Sequence, residues 1–305
     1  MVVDEKQCSP IRGQSMSFVI EDVLIRDDPG GYRLPVVFDS PHSGLHYPPE
    51  FRFTCPLSLL RQAEDGFVDE LFAAAPDHGA TLLAALFPRS FIDTNRAADD
   101  LEPDMIEGRW REPLLPGDRS ALGMGLIRRL CRPGIPIYDG RLPAAEIADR
   151  IDRYYRPYHF QLAATLDSLF SQFQVVWHVN CHSMPSAGGT LPGSDPSPRP
   201  DFVLGDRDGT TCGPEFVHFV TRTLEGQGYR VALNNPYKGQ ELIRRYADPA
   251  RGRHSLQLEI NRRLYMNEET LEKHSGFEPL RKTLTHLIRR IADYAGDHIA
   301  AHAAE

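Results

Sequence analysis

Apolar and polar positions along the chain follow two rhythms. Short apolar runs bounded by Gly, Pro or Asp read as buried strands at Pro35-Val36-Val37-Phe38-Asp39, Thr81 to Phe87, Gln174 to Cys181, Phe202 to Asp206, Tyr229 to Leu233 and Ser255 to Asn261. Between them the apolar residues recur at helical spacing. Leu60, Ala63, Phe67, Leu71 and Ala74 predict one amphipathic helix from Leu57 to about Ala75. Pro143 suits the first turn of a long helix to about Phe173, with a kink at Pro157. A helix from Pro214 ends at Gly226 or Gly228, and Phe277 to the end is mostly helical. Phe18 to Ile25 is strand-like before the turn Asp28-Pro29-Gly30-Gly31, and Ser90 to Asp93 reads as a short further strand. Strands and helices alternate without internal repeats or a biased linker. This predicts a single α/β domain over 1–305 with a central mixed, mostly parallel sheet. Residues 1–34 form a leader packed at an edge. Residues 97–141, rich in Pro, Gly and charge, form a long loop insertion of the kind that serves as a lid or binding loop.

Composition narrows the function classes. A domain of 305 residues buries roughly three quarters of its unfolded surface and needs no staple. With 41% hydrophobic and 25% charged residues, the chain is far from the disordered corner. A net charge of -8 without a basic patch disfavours nucleic-acid and anionic-membrane partners, and no apolar run approaches the roughly 20 residues of a membrane helix. The five cysteines, Cys8, Cys55, Cys131, Cys181 and Cys212, are odd in number and unpaired in spacing, so they read as reduced thiols. Met1 to Gln7 lacks the start of a secretory signal, and the expected setting is cytoplasmic. Twelve His beside many Pro and Gly point weakly to an enzyme.

The chemistry concentrates at strand ends. Alternation places His178, Asn180 and His182 on one strand face, where buried polar groups need partners. His178 reads as a hydrogen-bonded core residue. His182, at the strand's end, lies where open α/β sheets bind ligands. In Leu256-Gln257-Leu258-Glu259-Ile260 the aliphatics face one way and Gln257 with Glu259 the other, so Glu259 has either a salt-bridge partner or a catalytic role. His42 follows a strand in a turn and is preferred over His46 as a metal ligand. Asp39, Glu64, Asp65 and Asp69 are the carboxylates that can complete a site. In Asp93-Thr94-Asn95-Arg96 the Arg can grip a carboxylate bidentately, or else form an ordinary surface pair with Asp93, Asp99 or Asp100. Asn234 to Gly239 forms a further shaped loop, and Gly188-Gly189 with the Pro-rich run to Pro200 is a flap or a spacer.

Taken in order, Ser40-Pro41-His42-Ser43-Gly44, Asp65-Gly66-Phe67-Val68-Asp69-Glu70-Leu71, Ile92-Asp93-Thr94-Asn95-Arg96, Cys181-His182-Ser183-Met184, Val203 to Arg207, Asn235 to Gly239 and Leu256 to Asn261 resemble the N-formylglutamate amidohydrolase family, akin to zinc carboxypeptidases and aspartoacylases. The resemblance implies a three-layer α/β sandwich with one zinc ion per chain. His42, His182 and Asp65 match the metal ligands, with Glu64 as the alternative carboxylate, and Gly66 stands where the family pattern has Trp. Glu259 matches the general base, and Asn95 with Arg96 the pair that holds a substrate carboxylate. The implied reaction is hydrolysis of N-formyl-L-glutamate, a small anionic substrate, to formate and L-glutamate, as in histidine degradation. The competing readings are a deacylase of another N-acyl amino acid, a non-catalytic carboxylate-binding protein of the same fold, and a Cys181 nucleophile beside His182. The last is disfavoured because neighbours on a strand face opposite ways.

Overall fold

The computed structural model describes residues 15–188 and 197–303, with the side chains beyond residue 301 left aside. Cys8, the beginning of the leader and most of the run after Gly188 lie outside the described residues. Eight strands among the described residues form one mixed sheet: β1 (Met16–Ile20), β2 (Leu24–Asp28), β3 (Val36–Ser40), β4 (Thr81–Ala85), β5 (Val176–Met184), β6 (Phe202–Gly205), β7 (Val231–Leu233) and β8 (Arg253–Asn261), in the order β1-β2-β4-β3-β5-β8-β6-β7. The four central strands β4, β3, β5 and β8 run parallel. The β1-β2 hairpin adds antiparallel to β4 at one edge, and β6 adds antiparallel to β8 towards the other, with β7 parallel to β6 beyond it.

Both faces of the central strands are covered, which is why β5 is buried along its whole length. On one face Phe38, Trp177, Val179, Cys181, Leu256 and Leu258 pack against the helices Val68–Leu71, Pro214–Glu225 and Phe277–Ala303. Trp177 anchors this core, with its ring against Phe216 and Tyr294. Truncating a buried aromatic of this kind costs about 3–5 kcal/mol. On the other face Val37, Leu83 and Val176 meet Leu162, Leu166 and Leu169 of the helix Arg156–Phe173. Along the register on this second face the side chains turn polar, and there the site is built. Among the described residues no helix is long and apolar enough to cross a membrane.

Four elements differ from the sequence expectation. The strand expected over Phe18 to Ile25 is broken by a turn over 21–23 into the hairpin of β1 and β2. The helix expected over Leu57 to Ala75 is two short helices, Leu57–Arg61 and Val68–Leu71, interrupted where Phe67 takes a left-handed φ of 65°. The interruption lets the Asp65 N–H donate to the His42 carbonyl at 3.0 Å, which delivers the Asp65 carboxylate to the sheet. Ser90 to Asp93 is a turn, because the Asp93 N–H bonds the Leu126 carbonyl at 2.8 Å instead of a strand. The long helix is Ala144–Arg150, a π-helical turn Ile151–Tyr155, then Arg156–Phe173. Pro157 has no N–H and its ring crowds the carbonyl one turn back, so the widened turn falls just before it. The 97–141 segment is a packed cap, with Leu101, Met105, Ile106, Leu126, Ile127 and Ile137 buried in the second core.

Candidate active site

The polar side chains are set by strand register. Pairing β5 with β8 places Ser255 beside His178, Gln257 beside Asn180 and Glu259 beside His182, while β3 places Asp39 beside Asn180. Asp39 anchors this ladder. It is fully buried and accepts from His178 Nε2 at 2.7 Å, Asn180 Nδ2 at 2.8 Å and the Tyr158 hydroxyl at 2.7 Å. Burial pushes its carboxyl up, but His178 and the other donors outweigh this and hold it below the usual range. With its Nδ2 committed to Asp39, Asn180 offers its Oδ1 to His182 Nε2 at 2.7 Å.

His42 reaches the same point from the turn after β3. That turn presses so closely on the chain after β4 that a Cβ on Gly44 would lie 2.3 Å from the Leu86 carbonyl carbon, so only glycine fits. His42 Nε2 donates to Asp93 Oδ1 at 2.7 Å. Asp93 is itself gripped by Arg89, whose Nε and Nη2 lie 3.2 and 2.7 Å from Oδ2. Burial raises the Asp93 carboxyl, yet the charges of Arg89 and His42 carry it well below the ordinary carboxylate range.

With both Nε2 atoms donating, the two Nδ1 atoms present lone pairs to one another at 3.1 Å. Asp65 Oδ2 completes the triangle, 3.3 Å from His42 Nδ1 and 2.9 Å from His182 Nδ1. Three electron-rich atoms this close call for a cation. A proton satisfies one pair of them, whereas a metal ion satisfies all three. A tetrahedral zinc site with bonds of about 2.0–2.1 Å sets its ligand atoms about 3.3 Å apart, matching these separations. The Asp93-to-His42 and Asn180-to-His182 bonds supply the outer hydrogen bonds that orient metal-binding imidazoles. Burial raises the Asp65 carboxyl, but the adjoining His182 and His42 and the charge of Arg89 hold it well below its ordinary value, ready as an anionic ligand. Among the described residues His42, Asp65 and His182 form a group that can hold a metal ion. Glu64 is turned away to the Tyr47 hydroxyl and Arg61.

Glu259 stands beside this centre with Oε1 accepting from Gln257 Nε2 at 2.9 Å. Burial, opposed by the His182 charge and reinforced by Asp65, pushes its carboxyl up to about 7, suited to exchanging protons near neutral pH. Asn95 and Arg96 follow Asp93 on the same rim. Asn95 Oδ1 accepts from the Leu242 N–H at 2.9 Å, and its Nδ2 lies 3.1 Å from His182 Nε2. Arg96 is 9% exposed and donates Nε to the Met124 carbonyl and Nη1 to Gln240 Oε1. Among the described residues it forms no ion pair with Asp93, Asp99 or Asp100, and it is buried, so the reading as an ordinary surface pair does not hold.

A model of the N-formylglutamate amidohydrolase family matches residues 34–266. A relative from Pseudomonas putida, an N-formylglutamate deformylase, is 32% identical over 77% of this chain and 83% of its own length, and one of the same name from Pseudomonas aeruginosa is 29% identical over 78% and 84%. The chain belongs to the N-formylglutamate amidohydrolase family. A solved N-formylglutamate amidohydrolase from Ralstonia eutropha JMP134 superposes with a TM-score of 0.88 at 48% identity, covering 91% of this chain and 99% of that one. As a member of this family, the protein is an amide-cleaving hydrolase.

The remaining candidates separate by position. His178 is an interior residue bonded to Asp39 and to Ser255 Oγ at 3.1 Å. His46 lies at the surface beside Asp22. Cys181 is buried in the opposite core from His182, and burial pushes its thiol well up, which removes it as a nucleophile. The sequence reading missed Arg89, Arg262 and the Asp39 anchor. Arg262 spans Ser183 Oγ, the Gln62 and Glu64 carbonyls and Asp65 Oδ1. Its position directly after the strand bearing Glu259 was the available signal.

Proposed function

We propose that this protein is a zinc-dependent deformylase that hydrolyses N-formyl-L-glutamate to formate and L-glutamate, as in histidine degradation. The observation that carries the proposal is the meeting of His42 Nδ1, Asp65 Oδ2 and His182 Nδ1 beside Glu259 in a chain of this family. These three residues would hold the ion. When bound, it supplies a localised positive charge that polarises the formyl oxygen and brings the pKa of a water to about 7. Glu259 takes the proton of the attacking water and returns it to the leaving nitrogen as the formyl C–N bond breaks. Asn95 and Arg96 hold the substrate carboxylate next to the scissile amide, and the Arg96 Nη2, without a partner among the described residues, is the group left to grip it. Asp39 and Asp93 hold no substrate; through Asn180 and directly, they fix the imidazoles.

We read the chain as one three-layer α/β domain related to zinc carboxypeptidases and aspartoacylases. The cores on the two sheet faces support this reading. The free thiols Cys55, Cys131, Cys181 and Cys212 are in keeping with a cytoplasmic setting. Incubation of zinc-loaded protein with N-formyl and N-acetyl amino acids tests the substrate. Release of formate fastest from N-formyl-L-glutamate is expected; a clear preference for an N-acetyl amino acid would move the chain to another deacylase specificity.

A further inference from the structure

Arg128 is 9% exposed, yet its guanidinium forms no hydrogen bond or ion pair among the described residues. A largely buried guanidinium with five donors and no protein acceptor leaves those donors to water or to a ligand that can reach them. Its segment is bonded to the rim of the site just described, the Leu126 carbonyl accepting from the Asp93 N–H and the Met124 carbonyl from Arg96 Nε, and its charge interacts with those of Arg89, Asp93, Arg96 and Asp65. The carboxylates there are already committed, Asp93 to Arg89 and His42 and Asp65 to the two imidazoles and Arg262. Burial and the like charge of Arg89 push the Arg128 pKa down to about 9, partly offset by Asp93, which leaves the group charged at neutral pH and in want of an anion.

The segment carrying it is rigid. Leu126 and Ile127 are buried, the Leu126 carbonyl accepts from the Asp93 N–H, and the Leu126 N–H bonds the Asp100 carbonyl at 2.9 Å. Gly125 sits where a Cβ would lie 2.1 Å from Ser120 Oγ. The backbone that carries Arg128 is therefore set before any ligand arrives, which leaves only the side chain to be ordered on binding. On the reading of the site as an N-formylglutamate deformylase, we propose that Arg128 binds the side-chain carboxylate of the substrate and sets the preference for a dicarboxylate, while Arg96 holds the carboxylate beside the amide.

The test compares wild type with Arg128→Met and Arg128→Lys on N-formyl-L-glutamate and N-formyl-L-glutamine, which differ only in the side-chain charge. Wild type is expected to favour the glutamate substrate in kcat/KM by at least about 100-fold, and Arg128→Met to erase most of that ratio, chiefly through KM. Arg128→Lys keeps a charge without the fork and should retain part of it. Calorimetric binding of L-glutamate against L-glutamine should lose the same discrimination. Because the guanidinium has no internal partner, Arg128→Met should keep or raise the Tm. An equal fall for both substrates, or a lower Tm with the preference intact, would make Arg128 structural and overturn the proposal. Should wild type release formate from neither substrate, the deformylase reading fails instead. The calorimetric arm then decides for Arg128: loss of the L-glutamate preference in Arg128→Met supports it, and an unchanged preference overturns it.

Discussion

His178 and His182 lie on the same strand, point to the same face and are buried to nearly the same degree, at 1% and 2% exposure. One is closed and the other is open. His178 has an internal partner on each nitrogen, Asp39 and Ser255, so its ring is fully used in holding the sheet together. His182 gives its Nε2 to Asn180, while its Nδ1 shares the Asp65 carboxylate oxygen with a second imidazole. Residue type, strand and burial are shared. What separates structure from chemistry is whether the far side of the ring meets a partner or a gap shaped for a cation. Two arginines repeat the contrast. Arg150 spends its terminal nitrogens on the Phe91 carbonyl, the Tyr138 hydroxyl and Glu146, with the guanidinium over the Phe91 ring, while Arg128 has none of these.

Substitutions at the open end should therefore damage turnover, and those at the closed end should damage folding. The largest expected loss is from Glu259→Gln, which should cut kcat by about 10²–10⁴-fold in steady-state formate release while metal analysis still finds one zinc per chain. Near-normal turnover would remove Glu259 as the base. Arg96→Ala should cost roughly 100-fold or more in kcat/KM for the doubly acidic substrate, mostly in KM, because it strips one partner from a desolvated pair. An unchanged value would take Arg96 out of the site.

A smaller effect is expected from pH. Glu259 acts as a base only when ionised, and burial with Asp65 raises its pKa to about 7, so kcat/KM should rise with pH on the acid side. The limb should follow about tenfold per unit and level off at or below about 7, since a bound cation favours the ionised form. A profile flat from pH 5 to 8 would contradict that role. The smallest effect on turnover is predicted for His178→Gln. It should lower the Tm, by leaving Asp39 short of its main partner, yet keep one zinc per chain; loss of zinc with an unchanged Tm would erase the contrast between the two histidines.

The central strands were legible from the sequence because their apolar runs are short and bounded, and because period-2 alternation fixes which side chains share a face. This placed His178, Asn180 and His182 together, and Leu256, Leu258 and Ile260 opposite Gln257 and Glu259. The break at Gly66-Phe67 was hidden, since the apolar spacing from Leu60 to Ala74 continues across it and the cause is a tertiary bond from Asp65 to His42. Arg128 was hidden for another reason. The 97–141 segment has no periodicity to read, and its order comes from contacts with residues distant in sequence, such as Leu126 with Asp93. Asp39 was named only as a possible ligand; its work as an anchor depends on the β3-to-β5 register.

The most direct test of the metal centre is formate release from N-formyl-L-glutamate by the purified protein before chelation, after chelation and after zinc is returned. Loss of activity on chelation and its recovery with one equivalent of zinc is the expected result. Undiminished formate release from protein shown to be metal-free would contradict a zinc site at His42, Asp65 and His182.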